Sequence, residues 1–337
     1  MMRKHTRTGD REDSSASWNP GPREGPTGTT FLNQPHVSES GEKAHLAFIG
    51  ACFDGLDRQP GVAEGPQRIR EAASVYANSD GTSQPITIYN PELGFLLDGV
   101  RFVDQGDIHC GSDVEVAREM LERAVSEAIA ASQVPLLVGG DHFVTYPAIR
   151  ALAEPVVVLH LDAHSDYLEE FESCPHGSFM RKVGDLVHVR RIVHLGLRGN
   201  LQTGAGIQYS LSRGNRLVTS RQLSTRGVAI LAELLDPEVL RGEWATYVTF
   251  DVDVLDPSVA PGTGTPEPGG ISYLAARDLL VALCQKTRVI GLDFTEFNPR
   301  LDWNGLTAKV VANLIIESAS ALVKRWGPEG SGVPRAS

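Results

Sequence analysis

The stretch "EPVVVLHLDAHSDY" (154–167) decides the fold. From Val156 to Leu161 it is an apolar, β-branched run interrupted only by His160. A run of that length after a proline reads as a strand buried on both faces, the kind found in parallel sheets. The apolar run then stops, and Asp162, His164 and Asp166 follow at a spacing of two. Side chains alternate along an extended chain, so these three share one face. His160 shares it too. We read His160 as a packed supporting group rather than a ligand.

The pattern recurs along the chain. "AHLAFIGACF" (44–53), "VPLLVGG" (134–140), "RIVHLGLRG" (191–199), "ATYVTFDV" (245–252) and "RVIGLDFTEF" (288–297) read as strands. Helical periodicity marks "GPQRIREAASVY" (65–76), 112–132, "YPAIRALAE" (146–154), "SYLAARDLLVALCQ" (272–285) and 306–326. Ser112 and Glu115 have the spacing of a capping box at the start of the second of these helices. Strands alternating with helices predict an α/β fold: three layers, α/β/α, with a mostly parallel central sheet. The expected organisation is a mobile N-terminal arm over 1–45, one α/β domain over 46–325 and a disordered tail over 326–337. Within the arm, "TTFLNQPHV" (29–37) is apolar enough to dock.

Doubly wound sheets place their sites at the carboxyl ends of the strands. Here those ends are polar. One carries His142, one carries Asp162, His164 and Asp166, one carries Asp251 and Asp253, and one carries Glu296. Four aspartates crowded together repel one another and are costly to desolvate. No lysine or arginine lies within these clusters. Metal ions are the simplest source of positive charge. Carboxylates with imidazoles and no thiolate suit divalent ions such as manganese. Six ligands, two of them bridging, would serve two ions in the arrangement that makes hydroxide available at neutral pH. Asp256, just before Pro257, reads as a turn residue, and "PGTGTPEPGG" (261–270) as a pocket wall rather than a phosphate cradle.

Composition excludes some classes. The chain has 337 residues and a net charge of −11, which argues against nucleic acid as the main partner. The cysteines Cys52, Cys110, Cys174 and Cys284 form no CxxC pair, so neither a zinc knuckle nor a disulfide framework is expected. With no signal-like N-terminus and no obvious membrane span, the expectation is a cytoplasmic protein away from membranes.

Five stretches resemble the ureohydrolases, the family of arginase, agmatinase and related guanidino-acid hydrolases. They are "FDGLDRQPGVAEGPQRIREA" (53–72), "GGDHFVTYPAI" (139–149), "VLHLDAHSDY" (158–167), "FDVDVLDPSVAPGTGTPEPGGIS" (250–272) and "GLDFTEFNPRLDWNGLTA" (291–308). The resemblance spans about 29–325, closest to the agmatinase and guanidino-acid branch. It implies two divalent ions, manganese or nickel. One would be held by His142, Asp162, Asp166 and Asp251, the other by Asp162, His164, Asp251 and Asp253. It implies that His176, in "CPHGSF", moves protons, that Asp166 assists proton transfer, and that Glu296 pairs with a cationic guanidino substrate. It also implies a homo-oligomer, trimer or hexamer, with the 29–37 arm as a contact.

Two departures bear on the substrate. Arginases place an asparagine where Leu168 stands, so arginine is not the expected substrate. The first loop has Ala63 and Glu64 in place of the usual arginine-containing pattern, and a pocket-facing Glu64 would favour agmatine's amine over a carboxylate tail. The expected reaction is hydrolysis of agmatine, a guanidino acid or a guanidino-bearing metabolite to urea and an amine. The alternatives are release of formamide from a formimidoyl group, or an inactive ligand-binding homologue. Urea against formamide as product separates the first two, and a simple assay with manganese separates the third.

Overall fold

The structure is a computed structural model, and it describes residues 29–36, 44–55, 60–77, 86–169 and 175–326. The arm over 1–28, the tail over 327–337 and Cys174 lie outside the described residues.

Ten strands run in chain order: β1 (Leu46–Cys52), β2 (Ile88–Asn90), β3 (Gly94–Leu96), β4 (Phe102–His109), β5 (Val134–Val138), β6 (Val156–Leu161), β7 (Val189–Leu197), β8 (Arg216–Thr219), β9 (Ala245–Asp251) and β10 (Arg288–Thr295). The helices are α1 (Gly65–Ala73), α2 (Val114–Ala130), α3 (Thr145–Arg150), α4 (Phe179–Asp185), α5 (Gly204–Ser212), α6 (Ser220–Arg226), α7 (Leu231–Leu234), α8 (Pro237–Leu240), α9 (Tyr273–Lys286) and α10 (Leu306–Trp326). Eight strands form one sheet in the order β4-β1-β5-β10-β9-β6-β7-β8, and every pairing in it is parallel. β2 and β3 form a separate antiparallel hairpin.

The strand parity read from sequence sorts the core into two layers. Leu46, Phe48, Leu136, Val157 and Leu159 face one side, packed with α1, α9 and α10. Ala47, Ile49, Leu137, Val156 and Val158 face the other, packed with α2, α3 and α4. α10 carries a window of mean hydropathy 1.5, apolar and long enough to cross a membrane by composition, but 83% of that window is buried in the core. Its apolarity therefore reflects burial on nearly all sides.

Local expectations need two corrections. α2 is capped by Asp113, whose carboxylate accepts from the N–H groups of Glu115 and Val116, and not by Ser112. Both residues are good caps, and only the backbone angle at the helix entry selects between them. The 29–36 segment is not mobile. Phe31 and Leu32 are fully buried, and Phe31 stacks on Phe48 with ring centroids 4.8 Å apart. Phe31 and Leu32 are thus spent within the chain, which is the docking the apolar stretch suggested. The last helix ends at Trp326, where its periodicity places the end.

One buried ion cluster ties these parts together. Arg70 of α1 is fully buried and grips Asp104 of β4 through Nε and Nη2 at 2.8 and 2.9 Å. Its Nη1 donates to Asp107 at 2.5 Å. Asp104 also accepts the Phe31 N–H at 2.8 Å, which anchors the N-terminal segment to the sheet edge.

Candidate metal and catalytic centre

β5, β10, β9 and β6 are consecutive in the sheet and parallel, so their carboxyl ends lie side by side. Each delivers one polar tip. After β5, Gly139 and Gly140 adopt φ of 86° and 76°, and a Cβ on Gly139 would come within 2.4 Å of Pro66. Glycine is required there, because the chain turns sharply under a close neighbour. The turn delivers His142 into a short 3-10 helix capped by Asp141.

His142, Asp162, Asp166, Asp251 and Asp253 converge. Nδ1 of His142 lies 3.0 Å from Asp162 Oδ2, 3.1 Å from Asp166 Oδ2 and 3.1 Å from Asp251 Oδ2. It makes no aligned hydrogen bond with any of them. A ring nitrogen and three carboxylate oxygens that all face one point, without in-line hydrogens, form the donor set of a cation site. Beside it, Nδ1 of His164 lies 2.9 Å from Asp253 Oδ2 and 3.5 Å from Asp162 Oδ1. Asp162 reaches both groups. The six sequence-predicted ligand positions are therefore brought together, and the donor chemistry fits a pair of divalent ions.

Backbone groups hold the carboxylates in place. Asp162 Oδ1 accepts the His164 N–H at 2.5 Å, Asp251 Oδ1 accepts the Asp253 N–H at 2.7 Å, and Asp253 Oδ1 accepts the Ala163 N–H at 3.0 Å. Asp166 sits at φ 53° and Glu296 at φ 61°. Non-glycine residues are uncommon in that left-handed region, and such strain clusters at functional sites.

The electrostatics show how strongly the centre calls for positive charge. Burial, then repulsion from Asp253 and Asp162, pushes Asp251 well above the usual carboxylate range. Burial and Asp162 raise Asp253. Burial also opposes ionisation of Asp162, but the neighbouring His160 charge and contacts from His142, His160 and His164 outweigh it and hold Asp162 well below that range. Burial opposes protonation of His164, yet Asp162 and Asp253 carry it up to about 12.

Glu296 lies behind His142. Its Oε1 accepts the His142 N–H at 2.7 Å, and its own N–H donates to Gly140 O at 3.0 Å. Burial pushes its carboxyl up to about 8, while the charge of His176 draws it back down. His176, half-buried between Pro175 and Gly177, thus stands close to Glu296. Asp256 is not part of the cluster. It accepts from Ser258 N–H and Oγ at 3.0 and 2.6 Å and from the Gly269 and Gly270 N–H groups, which makes it the turn residue expected.

The sequence reading missed two residues. Arg198, past β7, donates to the carbonyls of Val254, Leu255 and Glu267, pinning the loop after β9 beneath the site. Glu267, in the glycine-rich wall, brings Oε1 to 3.9 Å from His164 Nε2. The signal for Arg198 was its place at a strand tip in "LGLRG" (195–199). For Glu267 it was a lone acid in an otherwise apolar and glycine-rich loop.

A parallel α/β sheet with an Asp/His cluster at its strand ends has the donor set of a metal-dependent hydrolase. The chain belongs to the arginase family, whose sequence pattern matches residues 44–320. It is 33% identical over 308 residues to human "Guanidino acid hydrolase, mitochondrial", covering 89% of this chain and 84% of that protein. It is 31% identical over 307 residues to chicken "Agmatinase, mitochondrial", covering 88% and 86%. The solved structure of proclavaminate amidinohydrolase from Streptomyces clavuligerus superposes with a TM-score of 0.74 at 30% identity, covering 88% of this chain and 97% of that one. The expected cytoplasmic location does not stand. The human and chicken relatives are named as mitochondrial proteins. That expectation rested on an N-terminus without a secretory pattern and on the lack of an obvious membrane span, and neither bears on a mitochondrial location.

Proposed function

We propose that this chain hydrolyses a guanidino compound, agmatine or an ω-guanidino acid, to urea and an amine, using two divalent ions. His142, Asp162, Asp166 and Asp251 would hold one ion, and Asp162, His164, Asp251 and Asp253 the other. The observation that carries the reading is the convergence of Asp162, Asp166 and Asp251 on His142 Nδ1, with Glu296 bonded to the same residue's N–H. Divalent ions there supply the Lewis acidity that makes water nucleophilic near neutral pH.

The chain's own residues do the rest. Glu296 keeps one carboxylate oxygen on the His142 N–H and offers the other to a guanidinium. Burial makes it a costly lone anion, so a cationic partner is strongly favoured there. Asp166 accepts the hydrogen bond of the attacking water and passes the proton to the departing amine. His176, near Glu296 and less buried than the ligands, exchanges protons with solvent.

The test is a urea-release screen over agmatine, 4-guanidinobutyrate and L-arginine, run on protein reconstituted with manganese or nickel alongside metal analysis. Metal uptake with urea production is expected. Formamide release from a formimidoyl substrate without urea release would overturn the reading.

A further inference from the structure

A second group of metal-ligating side chains stands outside the Asp/His centre. Cys52, Asp107 and His109 each offer one donor atom, and these atoms lie within 4.8 Å of one another. Cys52 ends β1, His109 ends β4, and the two are in register. β4 and β1 form one edge of the sheet, and β5 stands between them and β10.

A break in the strand ladder assembles the group. Phe48 pairs with Asp104, but Gly50 pairs with Asp107, so β4 uses one residue more than β1 over that step. Gly106, at φ 78°, lies in the bulge. The extra residue returns Asp107 to the face that already carries Asp104, and Arg70 reaches both. His109, two residues on, shares that face. Cys52 is registered beside His109 and takes the same face. Gly50 leaves the room, because a Cβ there would overlap Asp107 Oδ1.

Charge and donor type both suit a cation. Arg70 brings one positive charge to two carboxylates, and Asp104 takes two of its hydrogen bonds. Asp107 gives Arg70 only Oδ1, so one negative charge and one oxygen remain. Cys52 is buried and free, and among the described residues neither its thiol nor the His109 ring has a hydrogen-bond partner. His109 is exposed, which gives an ion a way in from solvent. Zinc takes sulfur, imidazole nitrogen and carboxylate oxygen at about 2.0–2.3 Å, so its tetrahedral donors stand about 3.3–3.8 Å apart. A turn of the exposed imidazole brings the three donors to that spacing. The thiolate also separates this group from the Asp/His centre. Sulfur selects zinc, whereas a carboxylate-rich set suits manganese.

We infer that Cys52, Asp107 and His109 form a further metal site, which takes Zn²⁺ with one coordination position open to solvent and staples the edge strand β4 to β1. On binding, the Cys52 S–H loses its proton to solvent, and the thiolate joins the ion with the free Asp107 oxygen and the His109 ring. An ion held by the folded chain alone stabilises it. The inference is independent of the proposed activity, since none of the six ligands of the Asp/His centre carries sulfur.

Co²⁺ is the probe, because a thiolate bound to it gives a charge-transfer band in the near ultraviolet. Titration of the full-length apoprotein with Co²⁺ should raise a saturable band, which Zn²⁺ then displaces. Cys52→Ser should lose the band while still taking up cobalt at the Asp/His centre. His109→Ala should weaken the thiolate-bound cobalt by at least about tenfold, the lower end of what even supporting groups contribute. Zn²⁺ should raise the Tm of the Mn²⁺-loaded parent and not that of Cys52→Ser. No band in the parent, or the same band in Cys52→Ser, overturns the site. A band that keeps its strength and affinity in His109→Ala means adventitious thiol binding only, and overturns it too. Equal Tm shifts in parent and Cys52→Ser overturn the staple. If Cys52→Ser does not fold, His109→Ala decides, since that side chain is exposed. Failure of the parent to take up Mn²⁺ counts against the functional reading alone, and the sulfur band still decides this one.

Discussion

The Glu64 carboxylate accepts hydrogen bonds from Arg300 Nε, at 3.0 Å, and from Arg300 Nη2. The two residues join the loop before α1 to the loop after β10. Glu64 is therefore matched within the protein and does not offer a free charge to a substrate amine, contrary to the expectation from sequence. Both side chains are about half exposed, 45% and 57%, so the pair contributes little to stability. The expected outcome for Glu64→Gln is a change of less than about fivefold in the kcat/KM ratio of agmatine to 4-guanidinobutyrate, since exposed pairs are worth about 0–1 kcal/mol. A steady-state comparison of the two substrates checks it. A tenfold shift would restore Glu64 as the selector.

Arginine should be the poorest of the three substrates. Leu168 has no polar side chain, and its N–H is already given to Gly177 O at 2.9 Å. A substrate α-carboxylate placed there finds no donor from residue 168. An unsatisfied polar group costs about 1–3 kcal/mol, or roughly tenfold or more in kcat/KM. Arginine turned over as fast as agmatine would remove this argument.

Asp251→Asn should lose metal and turnover together, because one carboxylate would serve both ions. A loss of at least about 100-fold is expected, beyond what outer partners cost. Metal analysis beside the urea assay reads both quantities, and full occupancy with normal turnover would contradict the assignment.

His176→Ala should keep its metal and lose rate. General acid–base groups typically account for about 10²- to 10⁴-fold. Added imidazole should recover part of the rate. Unchanged turnover would reduce His176 to a loop residue.

Arg70→Ala should be destabilising without touching the site. It strands Asp104, fully buried and doubly bonded to Arg70, and breaking such a pair costs about 3–5 kcal/mol. The midpoint of urea unfolding reports it. A midpoint equal to that of the parent would mean the cluster relaxes into solvent.

Much of the site was legible because alternation is a local property. Residues two apart on an extended chain share a face, so Asp162, His164 and Asp166 announced a common direction before any fold was known. Asp251 and Asp253 did the same. Apolar runs ending in these clusters marked the strands and their carboxyl ends, and the motifs pointed to the family. What remained depended on partners distant in sequence. Only the strand order places β5, β10, β9 and β6 side by side, so that His142 meets Asp162 and Asp251. Only the loop packing gives Glu64 its partner 236 positions away. The capping of α2 by Asp113 rather than Ser112 was decided by a backbone angle that either side chain permits. Sequence determines local conformation and which face a side chain takes. Which side chains then meet depends on strand order and loop packing, and the tertiary structure alone brings those groups together.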